Sequence, residues 1–107
     1  MKKVCVFLAD GFEEIEGLTV VDILRRAGIE TEMVSVMGRK QIKGAHGIQV
    51  EADSVFEEAE AAEADMLVLP GGMPGTLNLK AYSGLTELLV DFDRKKKHIA
   101  AICAAPS

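Results

Sequence analysis

Val4-Cys-Val-Phe-Leu-Ala-Asp-Gly11 decides the fold. Six apolar residues in a row fit a strand buried on both faces, as in the middle of a parallel sheet, and Asp10-Gly11 breaks the run. Glu13 to Ala27 then reads as a helix: acids open it, Arg25-Arg26 close it and Gly28 stops it. Glu30 to Met37 is a second extended segment rich in β-branched residues. Strand, helix and strand within about 35 residues make a βαβ unit with a right-handed crossover.

Outward from this unit the alternation continues. Gly38 to Ala52 holds two short extended pieces around Gly44-Ala-His-Gly47, which predicts a hairpin. Val55 to Glu63 predicts a short acidic helix. Met66 to Leu69 is a buried strand ended by Pro70-Gly71-Gly72; helices follow near Thr76 to Tyr82 and from Leu85 to Lys97. Ile99 to Ile102 is a last buried strand, and Cys103 comes next. The pattern predicts an α/β doubly wound sheet, whose active site gathers at the carboxyl ends of the strands. Three segments qualify: Asp10-Gly11-Phe12, Pro70-Gly71-Gly72 and Cys103-Ala104-Ala105.

The chain has 107 residues, enough for one domain. With 12 basic against 17 acidic side chains, it lacks the surplus of cations that nucleic acid or an anionic membrane surface requires. No apolar run approaches the 18 or so residues of a membrane span. The run after Lys2-Lys3 meets Asp10-Gly11 too early for a signal peptide. Cys5 and Cys103 are not spaced as a disulfide or CxxC pair, so reduced thiols in the cytoplasm are expected. His46 and His98 stand apart, no HExxH occurs, and neither a metal nor a cofactor is expected.

Cys103 lies where a buried strand turns toward a helix. Ala101, Ala104 and Ala105 are small enough for a sharp elbow, and Pro106 suits a first helical turn. Helix N–H groups there would favour a thiolate. On that segment alone the commoner reading is a buried, inert cysteine. Pro70-Gly71-Gly72 reads as an ordinary turn or as a backbone cradle for an anion. Glu13 and Glu14 read as surface acids complementing the helix dipole; Glu16, one turn in, could lie over the strand ends. Arg94-Lys-Lys-Lys-His98 reads as a solvated helix end, His46 as a loop residue and Cys5 as core.

Four pieces together, Leu8-Ala-Asp-Gly-Phe-Glu-Glu-Ile-Glu16, Val21-Asp-Ile-Leu-Arg-Arg-Ala-Gly-Ile29, Val68-Leu-Pro-Gly-Gly72 and Ala100-Ala-Ile-Cys-Ala-Ala-Pro106, resemble the ThiJ/PfpI superfamily near its Parkinson-disease deglycase branch. The resemblance implies a flavodoxin-like three-layer sandwich, with residues 1–107 as the N-terminal part of a single domain that continues past the cysteine elbow. It implies that Cys103 is the reactive cysteine and Glu16 a protonated carboxyl bonded to its sulfur. It further implies that Gly72, with its neighbour Gly71, and Ala104 supply oxyanion N–H groups. His46 departs from the Ser-Arg step that relatives carry near a dimer pocket. A helix of about four residues after Cys103 does not stand alone, so activity is expected only with the remaining half in place.

Three functions fit the resemblance. The first is a cofactor-independent glyoxalase or deglycase that acts on α-oxoaldehydes, or on glycated protein, through Cys103. The second is a redox sensor or chaperone working through oxidation of Cys103, and the third a cysteine peptidase. The peptidase needs a histidine, and His98 is about 17 Å from Cys103 at the extended rise of about 3.3 Å per residue. A homodimer is expected because helix 13–27 carries Gly17, Val20, Val21, Leu24 and Gly28 on one face, with Ile15 and Leu18 beside it. That is wider than one sheet contact uses.

Overall fold

The computed structural model describes residues 2–72 and 75–101. Cys103, Ala104 and the elbow predicted around them lie outside these residues. Five parallel strands form one sheet in the order β5-β2-β1-β6-β7. They are β1 (Lys3–Leu8), β2 (Glu30–Ser35), β5 (Ser54–Val55), β6 (Met66–Leu69) and β7 (His98–Ala101). A separate antiparallel hairpin pairs β3 (Gln41–Lys43) with β4 (Gln49–Glu51). The helices are α1 (Glu14–Arg26), α2 (Gly75–Ala81) and α3 (Ser83–Arg94).

Strand β1 is buried on both faces, as its unbroken apolar run requires. Val4, Val6 and Leu8 pack with Phe12, Val21 of α1 and Ile42 of the hairpin. Cys5, Phe7 and, just beyond the strand, Ala9 pack with Leu79 of α2 and with Leu85, Leu88 and Phe92 of α3. Alternation along a strand thus divides six residues between two cores and produces three layers. Each large side chain fully removed from water here, such as Phe7 or Leu8, contributes about 1.5–3 kcal/mol. Gly17 lets α1 approach closely, since a Cβ there would stand 2.9 Å from the Phe12 ring.

Two expectations change. The stretch 55–63 is no helix: Ser54–Val55 pairs with β2, Phe56 N donates to Ser35 O, and a single 3-10 turn spans Ala61–Glu63. Edge pairing takes the backbone of its first residues, and Phe56 packs between Phe7 and Tyr82, overriding the helix propensity of the acids. On α1, Leu18, Val20 and Leu24 all pack toward the core, leaving Ile15 and Ile23 as the outward apolar residues. The basic run follows α3, which ends at Arg94 rather than Lys97: Lys96 turns at φ 59°, the Lys97 ammonium lies 4.5 Å over the Phe92 ring, and His98 already begins β7. No helix among the described residues is long and apolar enough to cross a membrane.

The chain moves outward from β1 to β2 and β5, then returns to β6 on the other side of β1. The order therefore reverses between β1 and β6. In open α/β sheets the crevice beyond the carboxyl ends at this reversal is where ligands bind. Asp10-Gly11-Phe12 and Pro70-Gly71-Gly72 flank it.

Candidate functional site at the strand-order reversal

The two flanking loops are stitched together. Glu13 N donates to Gly71 O at 2.8 Å, and Gly71 N donates to Glu16 Oε1 at 3.2 Å. Glu16 therefore does lie over the strand ends, as its place one turn into α1 suggested. The Gly71 N–H, expected to face an anion, here meets that carboxyl oxygen. Gly72 has φ +103°, and a Cβ on it would stand 2.5 Å from Glu13 N and 2.9 Å from Gly11 O. Only glycine satisfies both the backbone angle and the close approach. Strand β7 pairs with β6 so that Ala101 lies opposite Leu69. Ala101, the last described residue, is thus level with the start of Pro70-Gly71-Gly72.

Glu14 corrects the sequence reading. It is no surface acid: it is 3% exposed. Its Oε2 accepts from His46 N at 2.7 Å and Ile48 N at 3.2 Å, and its Oε1 lies 2.8 Å from His46 Nδ1. Burial by itself would raise this carboxyl. The bonds from the His46 ring and from the backbone N–H groups of Glu14, His46 and Ile48 outweigh burial and lower it to about 2. His46 is raised in turn, by its bond to Glu14 first and then by the charges of Glu13 and Glu14. Gly44 makes room for this: a Cβ there would fall 2.3 Å from the Glu14 carboxylate. His46 is a loop residue, as expected, but one tied to the first turn of α1. The sequence held only a weak signal for the pair, a histidine between glycines at a turn, 32 residues from its partner.

More bonds clasp the β1–α1 loop. Gly11 N donates to Lys43 O, Ala45 N to Phe12 O and Lys43 N to Asp10 Oδ1. Arg39 pairs with the Asp10 carboxylate. From the other side Asn78 Nδ2 of α2 donates to Asp10 O at 2.7 Å. Asp10 was read only as part of a loop at the strand ends, and Asn78 was not singled out from the sequence, because neither carries a chemical motif. Together the hairpin and α2 hold the loop from which Glu16 is launched.

Beside these contacts lies an open groove of about 520 Å³, lined by Glu13, Glu14, Ile15, Glu16, His46 and Ile48. Ile15 is 74% and Ile48 51% exposed. Cys5 plays no part in it. Burial above all, and Glu32 after it, pushes the Cys5 thiol up to about 11, and the residue is fully enclosed. This leaves Cys103 as the candidate thiol. His98 lies at the opposite end of β7, opposite Met66 of β6.

Known proteins match throughout. The Parkinson disease protein 7 homolog of Danio rerio is 36% identical over 107 residues, which are 99% of this chain and 57% of that protein. The solved structure of oxidized Toxoplasma gondii DJ-1 superposes with a TM-score of 0.95 at 38% identity, covering 99% of this chain and 58% of that one. A mutant of a DJ-1 superfamily protein from Salmonella typhimurium gives 0.93 at 39%, covering 98% and 57%. The chain thus spans a little over half the length of these relatives. Its sheet order and its paired loops are those of a flavodoxin-like fold, and a family profile matches it from residue 2 to residue 107: the chain belongs to the DJ-1/PfpI family.

Proposed function

We propose that this chain is the N-terminal part of a single-domain, cofactor-independent enzyme in which Cys103 attacks α-oxoaldehydes or their adducts on protein. The observation that carries this reading is Glu16, a carboxyl held over the strand-order reversal by Gly71 N–H, level with the end of β7 that leads to Cys103. The Cys103 thiolate forms a C–S bond to the aldehyde carbon, and the carbonyl electron pair moves to oxygen. The N–H groups of Gly72 and Ala104 meet that oxyanion, while the Gly71 N–H stays with Glu16. Glu16 moves the proton from the aldehyde carbon to its neighbour, giving a thioester of a 2-hydroxy acid. Water then releases the acid and restores the thiol, so methylglyoxal plus water becomes lactate. The role is protection against carbonyl and oxidative stress, in the cytoplasm and as a homodimer; the outward Ile15, Ile23 and Ile48 support the dimer.

Lactate release from methylglyoxal by the full protein tests the reaction. Cys103→Ser is expected to abolish it, and full turnover in that variant would overturn the mechanism. A second reading, redox sensing through Cys103, is favoured by the oxidized state in which the Toxoplasma gondii relative was solved. Mild peroxide would then add two oxygens, +32 in mass, to Cys103 alone in a protein without aldehyde turnover. A peptidase finds less support, because His98 sits at the far end of β7.

A further inference from the structure

Glu13 and Glu14 begin α1 next to the tip of the β3–β4 hairpin, and each divides its two carboxylate oxygens in the same way. Glu13 gives Oε1 to Ile15 N at 3.1 Å, and Glu14 gives Oε2 to His46 N and Ile48 N. The other oxygen of each faces one imidazole nitrogen. Glu14 Oε1 is 2.8 Å and Glu13 Oε2 3.8 Å from His46 Nδ1. Donor atoms of the three residues lie within 4.8 Å of one another.

We propose that Glu13, Glu14 and His46 form a binding site for a borderline divalent transition-metal ion of the zinc type. Sequence spacing argued against a metal because the ligands come from two elements. In tetrahedral coordination with Zn–N and Zn–O bonds of about 2.0–2.2 Å, neighbouring ligand atoms are about 3.4 Å apart. The observed 2.8 and 3.8 Å bracket that edge, and all three ligand atoms lie within 4.8 Å of one another, so closing on an ion parts the shorter contact and draws the other atoms in. The moving part is the His46 ring, whose side chain is 67% exposed and whose neighbour Gly47 has φ +82°.

Binding replaces one hydrogen by one metal. The ion sits beside the Nδ1–Oε1 contact, about 2.0–2.2 Å from each atom once they part to about 3.4 Å, and any proton on Nδ1 leaves to water. The backbone bonds to the other oxygens remain and hold both carboxylates in orientation, the part that outer-shell bonds play in known metal sites. Two carboxylates and a neutral imidazole cancel the charge of the ion, and the groove leaves its fourth position to water. One nitrogen donor with two carboxylates selects zinc or its neighbours over magnesium, which prefers oxygen alone.

Calorimetric titration of zinc chloride into the full protein tests this, in a Cys103→Ser background so that the thiol does not compete. One ion per chain is expected, with no comparable heat from magnesium. X-ray absorption should show nitrogen and oxygen neighbours and no sulfur. His46→Ala and Glu13→Gln should each weaken zinc by about tenfold or more. Glu13→Gln leaves the bonds of buried Glu14 in place, so it decides the matter if His46→Ala does not fold. Zinc affinity unchanged in a folded variant, or no zinc bound in the Cys103→Ser protein, overturns the proposal.

Discussion

Glu14 and Glu16 stand two residues apart on one helix, and they leave it toward different parts of the molecule. Glu14 turns to the hairpin, where two backbone N–H groups and an imidazole surround it. Glu16 turns to the strand ends and meets Gly71 N–H beside the order reversal. The same side chain is a structural clamp in one direction and a candidate proton carrier in the other. The difference lies in what the fold places opposite each: a closed turn with converging donors, or the rim of a crevice. A carboxylate in a converging cage is held as an anion and fastens two elements; one at a crevice is placed to exchange a proton with a ligand.

The sharpest test separates the two acids by what each loses. In the full protein Glu16→Gln should reduce aldehyde turnover by about 10²–10⁴-fold while the melting temperature changes little. Glu14→Gln should do the reverse, lowering the melting temperature clearly, because its amide NH₂ cannot accept from the donors converging there. Parallel kinetics and thermal melts on both variants check this, and equal loss of turnover in both would erase the distinction.

The loops around each acid can be broken separately. Gly72→Ala forces a Cβ onto Glu13 N at a left-handed backbone angle, and should cost about 3 kcal/mol or more in urea unfolding. Gly44→Ala drives a Cβ into the Glu14 carboxylate, where the hairpin can give way, and should cost about 1–3 kcal/mol. If Gly72→Ala proved the milder of the two, the strand-end loop would be the more adaptable side.

Cys5 gives the smallest effect. Its thiol, at about 11, lies above the ordinary value of 9.0, so the folded state holds the proton more tightly than the unfolded one. That contribution is complete below pH 9 and is lost as pH rises from about 9 through 11. At pH 8, iodoacetamide should modify Cys5 only after denaturation, as mass spectrometry of the peptides would show. Rapid native labelling would mean that the sheet core opens.

Much of this molecule was legible in its residues, for a reason the elements make plain. The unbroken apolar runs at Val4–Ala9 and Met66–Leu69 mark central strands because burial on both faces is a local property of composition. Their alternation with helices yields the doubly wound order, and that order alone locates the crevice between β1 and β6. Glu16 was legible too, since its distance from the helix start sets its direction. The stretch 55–63 was not, because pairing with β2 outbids the helix propensity of its acids. Nor was the bond between Glu14 and His46. Thirty-two residues separate them, and no periodicity connects a helix start to a hairpin tip. Only the docking of β3 and β4 against α1, with Gly44 leaving space for a carboxylate, turns an apparent surface acid into a buried clamp. The sequence by itself determined the sheet and where its crevice opens, through local burial and chain order. The tertiary structure alone decided what each acid faces, because that depends on which distant backbone donors converge on it.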